Sequence, residues 1–350
     1  MGALDRHDLR ARVQKALDGF IASHRPHLDE MGAELTPLVD ALQDFVTGGK
    51  RMRPAFCFWG HLGAGGTDRD EVIVAAASLE LFQACAIIHD DVMDASDMRR
   101  GKPAVHRAFA AMHRGEGWYG DPDSFGAGAA ILLGDLALAW ADEMLVASGL
   151  ADPRVLEVFS DMRADVMGGQ YLDLLEQVRG QGTVESALRV ARYKAAKYTV
   201  ERPLHLGAAL AGAGPDVYAA YTAYGVPLGE AFQLRDDVLG VFGDPSVTGK
   251  PAGDDLREGK RTALVAMALE TATPAQTSLV RRHLGDPHLD EGGVADLRDV
   301  LRDTGAVERV EQLIATRTAQ ALAALDRAAL PDDAAEVLRE LAVAATTRAL

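Results

Sequence analysis

Cysteine is nearly absent: Cys57 and Cys85 are the only two in 350 residues. Both sit in apolar segments, which argues against a disulfide framework and for a reducing cytoplasm. Aromatic residues make up only 6%. β-branched runs are few, and no alternating pattern extends beyond four or five residues, so a sheet-built fold is not expected. No uninterrupted apolar run reaches the ~18 residues of a membrane span. The best, AAILLGDLALAW, is broken by Gly134 and Asp135. The opening MGALDRHDLRARVQ lacks the apolar stretch of a secretory signal. Low-complexity linkers and fixed-period repeats are missing too. Positive charge is in deficit: 36 Lys and Arg face 52 Asp and Glu, a formal net charge of −16. That balance argues against nucleic acid as a partner.

What remains is helix-forming. Ala and Leu dominate, and 48% of the chain is hydrophobic, enough to bury a large core. The pattern predicts an all-α protein in one domain over 1–350. Residues 1–47 read as one or two helices interrupted near Pro26 and Pro37. A long helix is expected over 70–98, ended by Gly101 and Pro103, then a loop over 113–126. Helices follow over 127–149, 153–178, 183–212 and 215–240, a loop over 243–260, then helices over 261–284, 293–303, 305–328 and from 332.

Two acidic clusters interrupt this apolar scaffold. Asp90, Asp91 and Asp94 follow LELFQACAII; Asp236 and Asp237 follow YGVPLGEAFQL. Carboxylates in such a context are costly unless compensated. At helical spacing the first three crowd one face, where like charges repel. Mg²⁺ is the natural compensator, because it takes hard oxygen ligands and recruits phosphates. Arg99 and Arg100 follow closely, and guanidinium groups bind phosphate oxygens bidentately. In the second cluster Gly240 stands where a third acid would fall, so by itself it leaves a metal role and a structural role open. The loop after it again mixes acid and base, with Lys250, Asp254, Asp255 and Lys260. Gly48-Gly49-Lys50-Arg51-Met52-Arg53-Pro54 offers a flexible backbone beside Lys50 and Arg53, suited to a second anion, although it lacks the Walker spacing. His89 reads as an ordinary hydrogen-bonded helix histidine. Two basic anion sites and two acidic clusters on an apolar scaffold describe an enzyme joining two diphosphates with apolar tails.

GGKRMRP, LFQACAIIHDDVMDASDMRRGKPAVH, MGGQYLD and GEAFQLRDDVLGVFGDPSVTGK together resemble the trans-isoprenyl diphosphate synthases, or polyprenyl synthetases, most of all those making geranylgeranyl diphosphate. The resemblance runs from about residue 12 to 345. It implies a bundle of long helices around a central apolar cavity, with the two Asp motifs facing each other across its mouth, and a homodimer. It implies Mg²⁺, three ions with substrate bound, on Asp90, Asp91, Asp94, Asp236 and Asp237. Arg99, Lys194, Gln233, Lys250 and Lys260 match positions that contact the allylic diphosphate. Lys50, Arg53, Gln83 and Arg100 match the isopentenyl diphosphate site, and Gln170 and Asp173 match a cavity-lining pair. Asp90, Asp91, Asp94, Arg99, Lys194 and Asp236 would carry the catalysis. Gly240 and Ala195 depart from the family pattern, the latter standing where many members have Thr or Ser.

Product length depends on the helix leading into Asp90. Cys85 and Ala86 lie about 6–8 Å below it at ~1.5 Å per residue. In C15-producing members of the family, large aromatics there stop the tail. Here both are small, and Phe82, about 6 Å deeper than Ala86, is the expected floor. Trp140 is a second candidate. The expected product is therefore C20, with C25–C40 next and C15 after it. Two rivals are a class I terpene cyclase, which needs no second diphosphate site, and a degenerate non-catalytic partner subunit, which should have lost the first Asp cluster or the arginine pair.

Overall fold

Apolar residues recur at every fourth position from Leu9, and this stretch folds as α1, Leu9–Met31, with Leu9, Val13, Leu17 and Ile21 buried. The expected break at Pro26 does not occur. Pro26 lies inside α1, beyond its last buried residue, and the helix runs on to a cap at Gly32. α2, Thr36–Val46, begins with Pro37 in its first turn, where the missing N–H is not needed. α3, Met52–Gly63, is buried nearly throughout. The structure, a computed structural model, describes residues 6–180, 182–244 and 253–347.

The central element is α4, Asp70–Met93, apolar on all sides and sealed by its neighbours. It ends five residues before the expected boundary. The chain then forms a two-residue hairpin, β1 (Met98–Arg99) with β2 (Lys102–Pro103), the only strands among the described residues. α5, Val105–Glu116, and α6, Pro122–Ala147, claim most of the expected 113–126 loop. Pro122 starts α6 instead of marking a loop, with Asp121 accepting from the Ser124 N–H at 3.0 Å. α6 packs most extensively against α4.

Next come α7, Pro153–Arg179, and α8, Val184–Val190. The helix then widens to π geometry over Ala191–Glu201 before continuing as α9, Arg202–Leu210. α10, Pro215–Phe242, and a short α11, Asp254–Arg257, follow. The expected 261–284 helix is split at Pro274 into α12, Ala263–Thr271, and α13, Pro274–His283. α14 (Glu291–Asp303), α15 (Ala306–Arg327) and α16 (Asp332–Thr346) complete the bundle.

The π stretch is gripped from two sides. A Cβ on Gly169 of α7 would lie 2.3 Å from the Lys194 backbone nitrogen, and one on Gly229 of α10 would lie 2.5 Å from the Ala196 Cα. Backbones this close leave no room for a side chain. The buried apolar residues form two clusters, and α10 serves both: Tyr221, Tyr224 and Leu228 belong to one, Leu234, Val238 and Val241 to the other. α4 and α6 are each long and apolar enough, by length and mean hydropathy, to cross a membrane. The count of consecutive apolar residues missed this because isolated charges and glycines interrupt runs without lowering the mean much. The burial of most of α4 is that of a protein core.

Candidate active site

Asp90 lies in the last turn of α4 and Asp94 caps it. This is the negative end of the helix dipole, so both carboxylates need cations. Two lysines supply them. Lys194, in the π stretch, places Nζ 2.9 Å from Asp90 Oδ1 and 2.7 Å from Asp173 Oδ2 of α7. Lys260, just past α11, places Nζ 3.3 Å from Asp94 Oδ2, 2.6 Å from Glu258 Oε2 and 3.6 Å from Asp255 Oδ1. Ser96 Oγ donates to Glu258 Oε1 at 2.6 Å, tying the α11 region to the turn after α4.

The expectation that three carboxylates share one face needs correction. Successive helical residues differ by about 100°. Asp90 and Asp94 face the lysines, whereas Asp91 is fully buried and held by Arg99 of β1, whose Nε donates to Oδ1 at 2.9 Å.

The electrostatics follow from this division. Burial would raise the Asp90 carboxyl, but Lys194 and Lys260 outweigh it and hold the group below its ordinary range. Asp94 is pushed up to about 6 by burial and by the Asp90 charge. Burial would lower Lys260, yet Asp255, Glu258 and Asp94 raise it well above its usual value. Neither oxygen of Asp94 makes a hydrogen bond, although its side chain is only 1% exposed. A buried carboxylate with unused lone pairs beside a second carboxylate is a donor set suited to a hard divalent cation. The residues therefore fit Mg²⁺, with Lys194 and Lys260 holding the charge balance.

The second motif lies near the end of α10. Asp237 is buried and accepts from Gln233 Nε2 at 2.8 Å. Burial pushes its carboxyl up to about 8, opposed by that bond and reinforced by the charges of Asp255 and Asp236. Lys260 lies 3.3 Å from Asp94 of the first motif and 3.6 Å from Asp255, which lies against Gly240 of the second, so it connects the two acidic motifs. Lys250 lies outside the described residues.

A separate basic group gathers from the first turn of α3 and the turn between β1 and β2. Arg53 donates to Thr199 Oγ1 at 2.9 Å, and its guanidinium lies 3.9 Å over the Tyr198 ring. Arg100 donates to the Phe45 carbonyl at 3.1 Å. Burial lowers the Arg100 guanidinium, and Arg51, Arg99 and Arg53 push it further down. Cations forced together in this way suit an anion. Lys50 lies just before α3, and Gln83 is partly exposed on α4. Gln170 reaches Met93 Sδ at 4.0 Å, beside the end of α4.

Below Asp90, Ala86 is partly exposed and Cys85 is buried, while Phe82 is closed off at 1% exposure. The Phe82 ring meets Tyr198 at 5.5 Å and Phe159 at 5.9 Å between centroids. Trp140 packs instead on Phe20 and His24 of α1. His89 Nε2 pairs with the Ile131 carbonyl at 3.0 Å, the ordinary histidine expected.

Three residues escaped the sequence reading. Arg51 looks like one more cation of a basic loop, but it is buried and pairs with Glu80. Glu258 and Tyr198 carry no motif signal of their own; the acid–base mixture of DDLREGK was the available hint for the former.

The polyprenyl synthetase family model matches residues 36–301. The crystal structure of a geranylgeranyl pyrophosphate synthase from Corynebacterium glutamicum, complexed with isoprenyl diphosphate and magnesium, superposes with a TM-score of 0.94 at 45% identity, over 97% of this chain and 99% of that one. Geranylfarnesyl diphosphate synthase of Aeropyrum pernix is 34% identical over 75% of this chain and 79% of its own. Geranylgeranyl diphosphate synthase of Mycobacterium tuberculosis is 33% identical over 81% and 77%. With the matched region spanning both acidic motifs and the basic loop, the chain belongs to the polyprenyl synthetase family.

Proposed function

We propose that this prenyltransferase condenses isopentenyl diphosphate head-to-tail with an allylic diphosphate, releases diphosphate, and makes geranylgeranyl diphosphate (C20). The carrying observation is the separation of two stations: acids and lysines around Asp90, Asp94 and Lys260, and arginines around Arg53 and Arg100. A terpene cyclase has no use for the second station.

Arg53 and Arg100, with Lys50 and Gln83, hold isopentenyl diphosphate. Lys194, Lys260, Arg99, Gln233 and Lys250 take the allylic diphosphate. Asp90, Asp94 and Asp236 would hold Mg²⁺, three ions when substrate is bound, which would supply positive charge against the departing diphosphate. Asp91 and Asp237 can join once Arg99 and Gln233 exchange partners. The lysines stabilise charge developing on the leaving group as the allylic C–O bond ionises. The double bond of isopentenyl diphosphate attacks the cation, and a proton leaves to the departing diphosphate. Asp173 and Gln170 keep Lys194 and the end of α4 in place. Apolar walls exclude water that would quench the cation.

C20 rests on small Cys85 and Ala86 above a sealed Phe82. A C25 product is the second reading, favoured by the similarity to a geranylfarnesyl diphosphate synthase. Purified protein incubated with labelled isopentenyl diphosphate, Mg²⁺ and each of the C5, C10 and C15 allylic partners, followed by product sizing, tests both. A dominant C15 product would refute them.

We also propose one domain, a cytoplasmic enzyme without a membrane span, and a homodimer. The sharing of α10 between both apolar clusters supports the first. The burial of α4 and the two free cysteines support the second. Ile131 and Leu132, 46% and 64% exposed on α6, support the third, since large apolar groups in water mark an interface. Light scattering of the wild type and of Leu132→Glu should give a dimer and a monomer respectively.

A further inference from the structure

Asp90 and Asp94 define the spacing of the first motif, and Gly240 stands at the equivalent distance from Asp236. The space beside Gly240 is taken. A Cβ built there would lie 1.8 Å from Asp255 Oδ2 and 2.5 Å from Asp255 Cγ. Asp255 reaches this place from the first turn of α11. Its other oxygen is 3.6 Å from Lys260 Nζ, and its carbonyl accepts the Lys260 backbone N–H at 3.0 Å. The same Nζ lies 3.3 Å from Asp94 Oδ2, an atom without a hydrogen bond on a side chain 1% exposed. An acid thus occupies the volume that residue 240 leaves free, and it grips the lysine that links both motifs.

We infer that Asp255 is the third acid of the second motif, delivered from α11 instead of α10, and that it positions Lys260 between the two acidic clusters for the allylic diphosphate. This rests on the condensation proposed above. Gly240 is then not a degenerate position: its lack of a side chain is what admits Asp255. The consequence runs against intuition, because restoring the regular Asp spacing should harm the enzyme. The obstructing atoms belong to one short side chain, so a new Cβ turns the Asp255 carboxylate aside and leaves the helices where they are.

Four variants test this: Gly240→Asp, Gly240→Ala, Asp255→Ala, and Gly240→Asp combined with Asp255→Ala. Each single change should raise the allylic KM about tenfold and leave the isopentenyl diphosphate KM within about twofold, a split that general loosening of the fold does not produce. Each should also at least roughly halve the rise in melting temperature caused by Mg²⁺ with inorganic pyrophosphate. The double variant, with an acid back in the same volume, should return to within about threefold of wild type. Circular dichroism checks folding, and Gly240→Ala carries the test should Gly240→Asp fail to fold. Wild-type behaviour of Gly240→Asp or Gly240→Ala in both readouts, or a double variant no better than Asp255→Ala, overturns the inference. Absence of condensation by the wild type would instead refute the proposed function, and the pyrophosphate stabilisation would still decide the role of Asp255.

Discussion

In the unfolded chain the Asp94 carboxyl titrates near its ordinary 3.8; in the folded protein burial and Asp90 push it up to about 6. The folded state therefore holds this proton more tightly. The destabilisation is absent below the unfolded value, grows between the two and is complete above the folded one. At neutral pH it amounts to on the order of 3 kcal/mol. Asp94→Asn should raise the calorimetric melting temperature of unliganded protein at pH 7.5, with the gain shrinking as pH approaches 4, while turnover falls at least about a hundredfold. A lower melting temperature at pH 7.5 would sink this account. Arg51 makes the opposite case. Its removal leaves Glu80 buried and unpaired, so Arg51→Met should cost about 3–5 kcal/mol in denaturant unfolding. Asp90 and Asp94 were legible because carboxylates after an apolar run have few innocent explanations. Arg51 was not, because its inward turn depends on a left-handed backbone (φ 56°) invisible in a run of basic residues.

On the function proposed above, one face of α4 would carry reactive groups at one end and measure the tail at the other. Phe82→Ala should lengthen the product, but Tyr198 and Phe159 stand against the ring, so the gain should stop at about one isoprene unit. The cavity will also cost about 3–5 kcal/mol, for which Phe82→Leu provides a milder variant. Ala86→Phe should shorten the product towards C15. Chromatography of the products in both folded variants decides, and an unchanged distribution in both would remove α4 from the measuring role. The element pattern was readable from apolar periodicity, as were α7 and α10 almost to their ends. The π stretch was not, because ARYKAAKYTVE has ordinary helical composition. The stretch packs against Gly169 and Gly229, which belong to other helices and leave no mark on its own sequence. The early end of α4 and the start of α6 at Pro122 were misplaced for a related reason: proline and glycine signal a boundary without saying on which side the helix lies.

Over the whole molecule, charge tells the partner's sign poorly. A chain of net −16 still gathers Lys194, Lys260, Arg53 and Arg100 where diphosphates are proposed to bind. Composition pointed away from a sheet-built fold, and Cys57 and Cys85 are free, yet it did not reveal how two apolar clusters share α10, which is a matter of packing. The pairing of Lys194 with Asp90 and Asp173, and of Lys260 with Asp94, has one more consequence. These ammonium groups are resident counter-ions. A divalent ion arriving alone must evict them into a site with no anion to receive them, and an anion arriving alone must draw them off carboxylates left bare. Only joint arrival gives every charge a new neighbour. Titration calorimetry should therefore find Mg²⁺ weak without pyrophosphate, pyrophosphate weak without Mg²⁺, and each tightened about tenfold or more by the other, equally in both orders of addition. The folded chain then behaves as a coincidence detector for a metal–diphosphate pair, indifferent to either in isolation.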